Sequence, residues 1–332
     1  MDWHPLRFQP IYKERVWGGR NLEAFYGRPI PKDVPIGESW EITDRPEGVS
    51  VVAEGPLAGR TLAELMATDR RGLLGDAADR QGRFPLLVKI LDARDILSLQ
   101  VHPPASIAPR LGGESKTEMW YFTATTPGAE ILAGLRRGVT RSDFEAAIAN
   151  GSVAHCFHRI PVQAGDSMFL PSGRVHALGA GLLLFEIQEN SDTTYRVFDW
   201  NRVGLDGKPR PLHVAESLAS IDFADTEPSL LATPWTEEAS MQCRGLVDDP
   251  LFRVQLFRTP VHIVQNLTLP RCAIVGVVQG KLTLATSSGE WNLKSGDFCL
   301  IPAALKTIDC RLAPNTEYLL ATPGGNRVRG TA

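Results

Sequence analysis

The sequence has no apolar run approaching the roughly eighteen residues a membrane helix needs, and its N-terminus, MDWHPLRFQP, has no basic region followed by an apolar stretch. Neither a membrane span nor a secretory leader is therefore expected. Cysteine is scarce: Cys156, Cys243, Cys272, Cys299 and Cys310 are odd in number, scattered and never spaced C-x-x-C. That argues against a disulfide framework or a thiolate zinc site and fits a reduced, cytoplasmic setting. Charge of one sign is also lacking. Lys and Arg total 35 against 38 Asp and Glu, for a net charge of −3, which is no footprint for nucleic acid. There is no Gly-x-Ser-x-Gly elbow, no phosphate-binding Gly-x-x-x-x-Gly-Lys-Ser/Thr and no His-Glu-x-x-His. Trp17-Gly18-Gly19 reads as a turn and not as a dinucleotide fingerprint.

What is present is a chain of 332 residues, 43% hydrophobic, long enough for one large domain or two medium ones. Its 30 glycines and 24 prolines punctuate short apolar runs, among them FPLLVKILDA (84–93), LSLQVHP (97–103), MWYFTAT (119–125), GLLLFEIQ (181–188), CAIVGVVQG (272–280) and DFCLIPA (297–303). Such runs, bounded by turn residues and rich in β-branched and aromatic side chains, predict strands. Helices are predicted at 61–68 with Thr61 as N-cap, at 140–150 with Ser142 and Glu145 at capping-box spacing, and at 212–221. The more polar segment 222–240 reads as a connection to a C-terminal β part. A short repeat joins the two parts. Gly165-Asp166 to Pro171 and on to His176 has the pattern of Gly296-Asp297 to Pro302 and on to Thr307. Two related β units are expected, only the first with a histidine.

Gln100 and His102 are two apart in a predicted strand and so share a face. Glu118 opens a later strand, and His176 follows the Pro171-Ser172-Gly173 turn. Two imidazoles, a carboxylate and an amide oxygen suit a borderline divalent ion such as zinc. Taken singly, each has a blander reading: Glu118 as a solvated strand-end charge, the histidines as turn or core residues. His155 and His158, three apart after Gly151, read as surface residues.

Gly165 to His176 fits the second cupin motif, G-x5-P-x-G-x2-H, and Gln100-x-His102 with Glu118 resembles the first. The Gln-x-His form resembles the type I phosphomannose isomerases. Further blocks in family order carry the likeness over roughly residues 11–215: Arg15-Val16-Trp17-Gly18-Gly19, Gly37-Glu38-Ser39-Trp40-Glu41, Leu87-Val88-Lys89, Lys116-Thr117-Glu118-Met119-Trp120-Tyr121 and Asn190-Ser191-Asp192-Thr193-Thr194-Tyr195-Arg196. The chain departs from its relatives at Pro103-Pro104-Ala105, where they commonly carry acidic residues, and at Ser115.

The resemblance implies a mainly β fold of two cupin-type (jelly-roll) barrel units with a few packed helices: a catalytic unit over residues 1–221, then a linker and a degenerate copy over 222–332. It implies one Zn2+ per chain on Gln100, His102, Glu118 and His176. Arg196 falls on the family's catalytic arginine and Lys116 on its substrate-contacting lysine. Lys89, charged within an apolar run, either faces solvent or lines a cavity. The implied reaction interconverts mannose 6-phosphate and fructose 6-phosphate through a cis-enediolate. Its base is left open among a zinc-bound hydroxide, Glu41, Asp192 and neutral Lys89. Lys116 and Arg196 are the visible cations for the sugar phosphate. The alternatives are a metal cupin isomerase for another sugar phosphate and a non-catalytic sugar-binding cupin.

Overall fold

The computed structural model describes residues 1–238 and 241–325. The first half of the chain forms strands Ile11–Gly19 (β1), Ile36–Ile42 (β2), Asp44–Arg45 (β3), Gly48–Val49 (β4), Leu86–Ala93 (β5), Leu99–Val101 (β6), Glu118–Thr125 (β7), Glu130–Leu135 (β8), Phe157–Pro161 (β9), Ser167–Leu170 (β10), His176–Leu178 (β11), Leu182–Glu189 (β12) and Tyr195–Phe198 (β13). The second half adds Thr236–Glu238 (β14), Met241–Asp248 (β15), Phe252–Thr259 (β16), Ile263–Thr268 (β17), Ala273–Gln279 (β18), Lys281–Thr286 (β19), Gly289–Lys294 (β20), Phe298–Ile301 (β21), Thr307–Leu312 (β22) and Thr316–Pro323 (β23). Among the described residues four α-helices accompany them: Asn21–Tyr26 (α1), Leu62–Leu74 (α2), Arg141–Asn150 (α3) and Val214–Ser220 (α4). The chain is mainly β, as its short, turn-bounded apolar runs require.

Among the described residues β3 and β4 pair with each other, and the other strands form two pairs of sheets with the same plan. A six-stranded sheet of order β1-β2-β5-β12-β7-β10 has a five-stranded companion, β13-β6-β11-β8-β9. A second six-stranded sheet, β14-β15-β16-β23-β18-β21, has a four-stranded companion, β17-β22-β19-β20. Each pair encloses one apolar cluster drawn from both of its sheets. Trp120, Phe122, Met168 and Leu184 meet Ile131, Ala133 and Leu178 in the first. Val275, Cys299 and Tyr318 meet Leu284, Cys310 and Leu312 in the second. Opposed sheets that hide their inner faces from water are the stable solution for alternating strands. All five cysteines are buried.

The repeat seen in the sequence is a repeat of hydrogen bonds. Gly165 N–H donates to Phe122 O (2.8 Å) and Phe122 N–H to Asp166 O (3.0 Å). Gly296 and Val277 do the same (2.9 Å), as do Val277 and Asp297 (3.0 Å). Each aspartate carboxylate accepts the N–H three residues back, from Gln163 (2.9 Å) and from Lys294 (3.0 Å). Both glycines lie at positive φ, +93° and +84°, where a side chain would be strained.

Contacts divide the chain into two compact units, Met1–Ile11 with Trp40–Val88 and Ala232–Ala332, and Tyr12–Ser39 with Lys89–Leu231. This division differs from a linear split at residues 221 and 222. Within the first unit His4 stacks on Trp291, and Leu6 bridges Leu300, so the start of the chain is built into the β20 and β21 region.

Three local expectations change. Thr61 caps α2 in a capping box with Glu64, but the element continues past residue 68, breaking its helical angles at Asp69. The box of α3 is Thr140 with Asp143, not Ser142 with Glu145, because Thr140 holds the extended cap conformation and Ser142 is already helical. Trp17-Gly18-Gly19 is no turn. It ends β1, where a Cβ on Gly18 would lie 2.5 Å from Gly37 N.

Candidate metal centre and its cavity

Strand register assembles the centre. His176 opens β11 and lies directly across from Gln100 on β6, while Gln100 lies across from Arg196 on β13. Directly opposed residues point to one face, so His176, Gln100 and Arg196 form a row across three strands. His102 follows β6, and Gly173 N–H donates to its carbonyl (2.8 Å), tying the Pro171-Ser172-Gly173 turn to this edge. Glu118 opens β7 opposite Leu170.

His102, Glu118 and His176 are all buried, and their potential ligand atoms lie within 4.8 Å of one another. Glu118 Oε2 is 3.5 Å from His102 Nε2, and Oε1 is 3.3 Å from His176 Nε2. The Gln100 amide nitrogen is 3.2 Å from His176 Nε2. Each ring turns Nδ1 to a carbonyl: His102 to Thr193 O (2.8 Å) and His176 to Arg174 O (3.0 Å). Those contacts place the ring proton on Nδ1 and leave the Nε2 lone pairs facing inward, as in a histidine whose far nitrogen is held by a carbonyl while the near one binds metal. His102 Nε2 and Glu118 Oε1, though buried, have no hydrogen-bond partner. Unpartnered buried acceptors are costly, and a divalent cation satisfies them together. The donor set of two imidazole nitrogens and one carboxylate fits a metal ion.

The electrostatics agree. Burial pushes His176 down to about 3, so the ring is neutral and its lone pair available. His102 moves the same way, from burial and then from Lys116. Burial opposes ionisation of Glu118, but Lys116 (Nζ to Oε2, 2.8 Å) outweighs it and holds the carboxyl well below the usual carboxylate range.

Beside this group lies a cavity of about 560 Å³, within the range of small-molecule sites. Gln100, Lys116, Lys89 and Arg196 line it, with Asp192 and Glu186. Lys89 is buried with Glu186 at 3.4 Å, Asp192 at 3.5 Å and Glu38 at 3.7 Å. Burial alone favours its neutral amine. Glu38, Glu186 and Asp192 outweigh it and raise Lys89 above the ordinary lysine value. Lys89 is therefore a cation, not a ground-state base. Glu41 is buried but is not among the cavity-lining residues. His155 is exposed and His158 half-buried, and neither belongs to the group of His102, Glu118 and His176.

Glu186 was missed by sequence reasoning. It lies on β12 opposite Trp120, accepts the Trp120 indole N–H (2.9 Å) and stands between Lys89 and Lys116 (3.9 Å). Burial raises it above the usual carboxylate range, with Lys116 opposing and Glu118 reinforcing. The available signal was paired: Glu186 within GLLLFEIQ and Lys89 within LLVKILDA are charges in apolar strands, and β5 and β12 are neighbours.

Residues 6–145 match the family described as phosphomannose isomerase type I, catalytic domain. The chain is 36% identical to the mannose-6-phosphate isomerase of Streptococcus mutans, over 91% of this chain and 94% of that protein. It is 34% identical to mannose-6-phosphate isomerase ManA of Bacillus subtilis, over 92% and 95%. Among solved structures, the mannose 6-phosphate isomerase from Bacillus subtilis matches with a TM-score of 0.86 at 30% identity, covering 96% of this chain and 99% of that one.

Proposed function

Because the chain belongs to the type I phosphomannose isomerase family, we propose that it is a mannose-6-phosphate isomerase whose His102, Glu118 and His176 bind one zinc ion with Gln100. The observation that carries this reading is the convergence of two inward Nε2 lone pairs and a buried carboxylate beside a cation-lined cavity.

Interconverting the aldose and the ketose moves a proton between C1 and C2 of the open sugar through a cis-enediolate. Zinc, when bound, supplies Lewis-acid polarisation of the substrate oxygens. Arg196, in register with Gln100, presents its guanidinium on the same face and stabilises negative charge developing on oxygen. Lys116 and Lys89 add positive charge at the cavity wall. We take the proton acceptor from two of the carboxylates that line the cavity, Asp192 and Glu186. Burial raises Glu186 above the usual carboxylate range, the direction that suits a group exchanging protons near neutral pH.

The test is conversion of mannose 6-phosphate to fructose 6-phosphate by as-purified, chelator-stripped and zinc-restored protein. Activity is expected to vanish on stripping and return with zinc. Protein that holds one zinc and has no activity would overturn the substrate assignment.

A further inference from the structure

Lys116 stands in a segment outside the sheets. Residues 113–117 lie in no helix or strand and follow Gly112, whose left-handed backbone (φ +68°) ends a single 3-10 turn. Yet Ser115, Lys116 and Thr117 are all buried, and Lys116 Nζ reaches Glu118 Oε2 at 2.8 Å. What fixes this approach to β7 comes from the end of β12 and the residues just beyond it.

Glu189 is the last residue of β12. In a continued antiparallel ladder, Thr117 and Glu189 would exchange two backbone bonds. One is present: Glu189 N–H donates to Thr117 O (3.0 Å). The carbonyl that would complete the exchange is turned away and accepts the Gln188 side-chain amide (2.9 Å). The Glu189 carboxylate takes its place. Its Oε2 accepts Thr117 N–H (2.8 Å), and the Ser115 hydroxyl donates to its Oε1 (3.3 Å). One buried carboxylate therefore grips the chain on both sides of Lys116. The next residues extend the grip. Ser191 Oγ–H donates to Glu114 O (3.3 Å), and Glu114 N–H donates to Thr193 Oγ1 (3.0 Å). Glu189 is not among the residues lining the cavity, whereas Lys116 is. Its route to the chemistry is the lysine it brackets. Hydrogen bonds to a carboxylate are short and strong, and a shift near 1 Å at a reacting centre can cost about 10²-fold in rate.

We propose that Glu189 is a positioning residue: by holding Ser115 and Thr117 it fixes where the Lys116 ammonium stands at the cavity wall. The catalytic consequence rests on the isomerase reading above.

The experiment uses zinc-loaded wild type, Glu189→Ala, Glu189→Gln, Ser115→Ala, Lys116→Ala and double variants with Lys116→Ala. It reads kcat on mannose 6-phosphate, zinc content and amide hydrogen exchange over residues 113–118. In Glu189→Ala, exchange there should speed up by about 10-fold, and kcat should fall by roughly 10-fold with zinc near one per chain. Glu189→Gln should restore most of both, because its amide oxygen can accept from Thr117 and its nitrogen can donate to Ser115 Oγ. In the Lys116→Ala background, Glu189→Ala should lower kcat by less than about twofold, since the group it positions is gone. A full roughly 10-fold loss in that background, loss of zinc in Glu189→Ala, or unchanged exchange over 113–118 would overturn the proposal. Ser115→Ala is the gentler variant should Glu189→Ala fold poorly, for it leaves Thr117 paired. Its expected loss in kcat is about two- to threefold and should vanish in the Lys116→Ala background; persistence there counts against positioning. Wild-type protein that does not isomerise removes the isomerase reading, and the exchange comparison then decides the positioning alone.

Discussion

The two six-stranded sheets have the same order, and their paired positions can be read against each other. Glu118 lies opposite Leu170 where Ala273 lies opposite Ile301. Glu186 lies opposite Trp120 where Leu320 lies opposite Val275. His176 faces Gln100 where Thr307 faces Thr268. The turn that begins each repeat has the same hydrogen bonds, so the frame is common and the chemistry is not. In the first copy buried charges are held by one another: Lys116 with Glu118, Lys89 with Glu186. In the second the corresponding interior is apolar, and the strand that would match β13, the bearer of Arg196, is absent from the described four-stranded sheet. A site on this frame is thus a small set of polar replacements plus one added edge strand, and the cost of burial dictates that the replacements come together.

That contrast can be broken in order of effect. His102→Ala should abolish stoichiometric zinc, measured by elemental analysis, and lower turnover by about 10³-fold or more. Arg196→Ala should lower kcat by roughly 10²- to 10³-fold while zinc stays near one per chain. Loss of zinc instead would make Arg196 a support of the metal group. Ala273→Glu places the residue type of the first copy into the second without its partners. It should cost roughly 3 kcal/mol in urea unfolding and gain no metal.

Acid should weaken the zinc-free protein. His176 folded titrates at about 3, against 6.5 for an ordinary histidine, so between these values the unfolded chain binds the extra proton. Stability then falls as pH drops from about 6.5 towards 3. Glu118, depressed when folded, acts in the same sense as pH falls below its ordinary value, whereas the raised Glu186 acts in the opposite sense. Melting temperatures measured across this range should show the fall, and His176→Gln should flatten it. The smallest effect is expected for Thr307→His. That position is exposed, so the change should stay within about 0.5 kcal/mol and bind no zinc, although it restores the histidine of the motif.

How much of this was legible depended on distance along the chain. The Gly165 to His176 turn, the Gln100-x-His102 pair and the Thr61 cap are written in adjacent residues, and local geometry fixes them. Glu118 read alone as a solvated charge because its burial is created by β10, which pairs with β7 from far along the chain. Glu186 acquires meaning only once β12 lies beside β5 and brings it to Lys89. Gly18 looked like a turn residue because a close approach of two strands and a tight bend both favour glycine. The six-residue α1 is too short to show a helical period.

The five buried thiols have a practical consequence. Cys156 lies in the unit that carries the metal group, and Cys243, Cys272, Cys299 and Cys310 lie in the other. Burial raises Cys272 and Cys310 to about 12 and lifts Cys156 and Cys299 as well, so little reactive thiolate exists in the closed protein. A thiol-directed label therefore reports opening, and mass spectrometry of the labelled peptides times the two units separately. The chain has its own pair of clocks, and adding zinc should slow the one that contains Cys156.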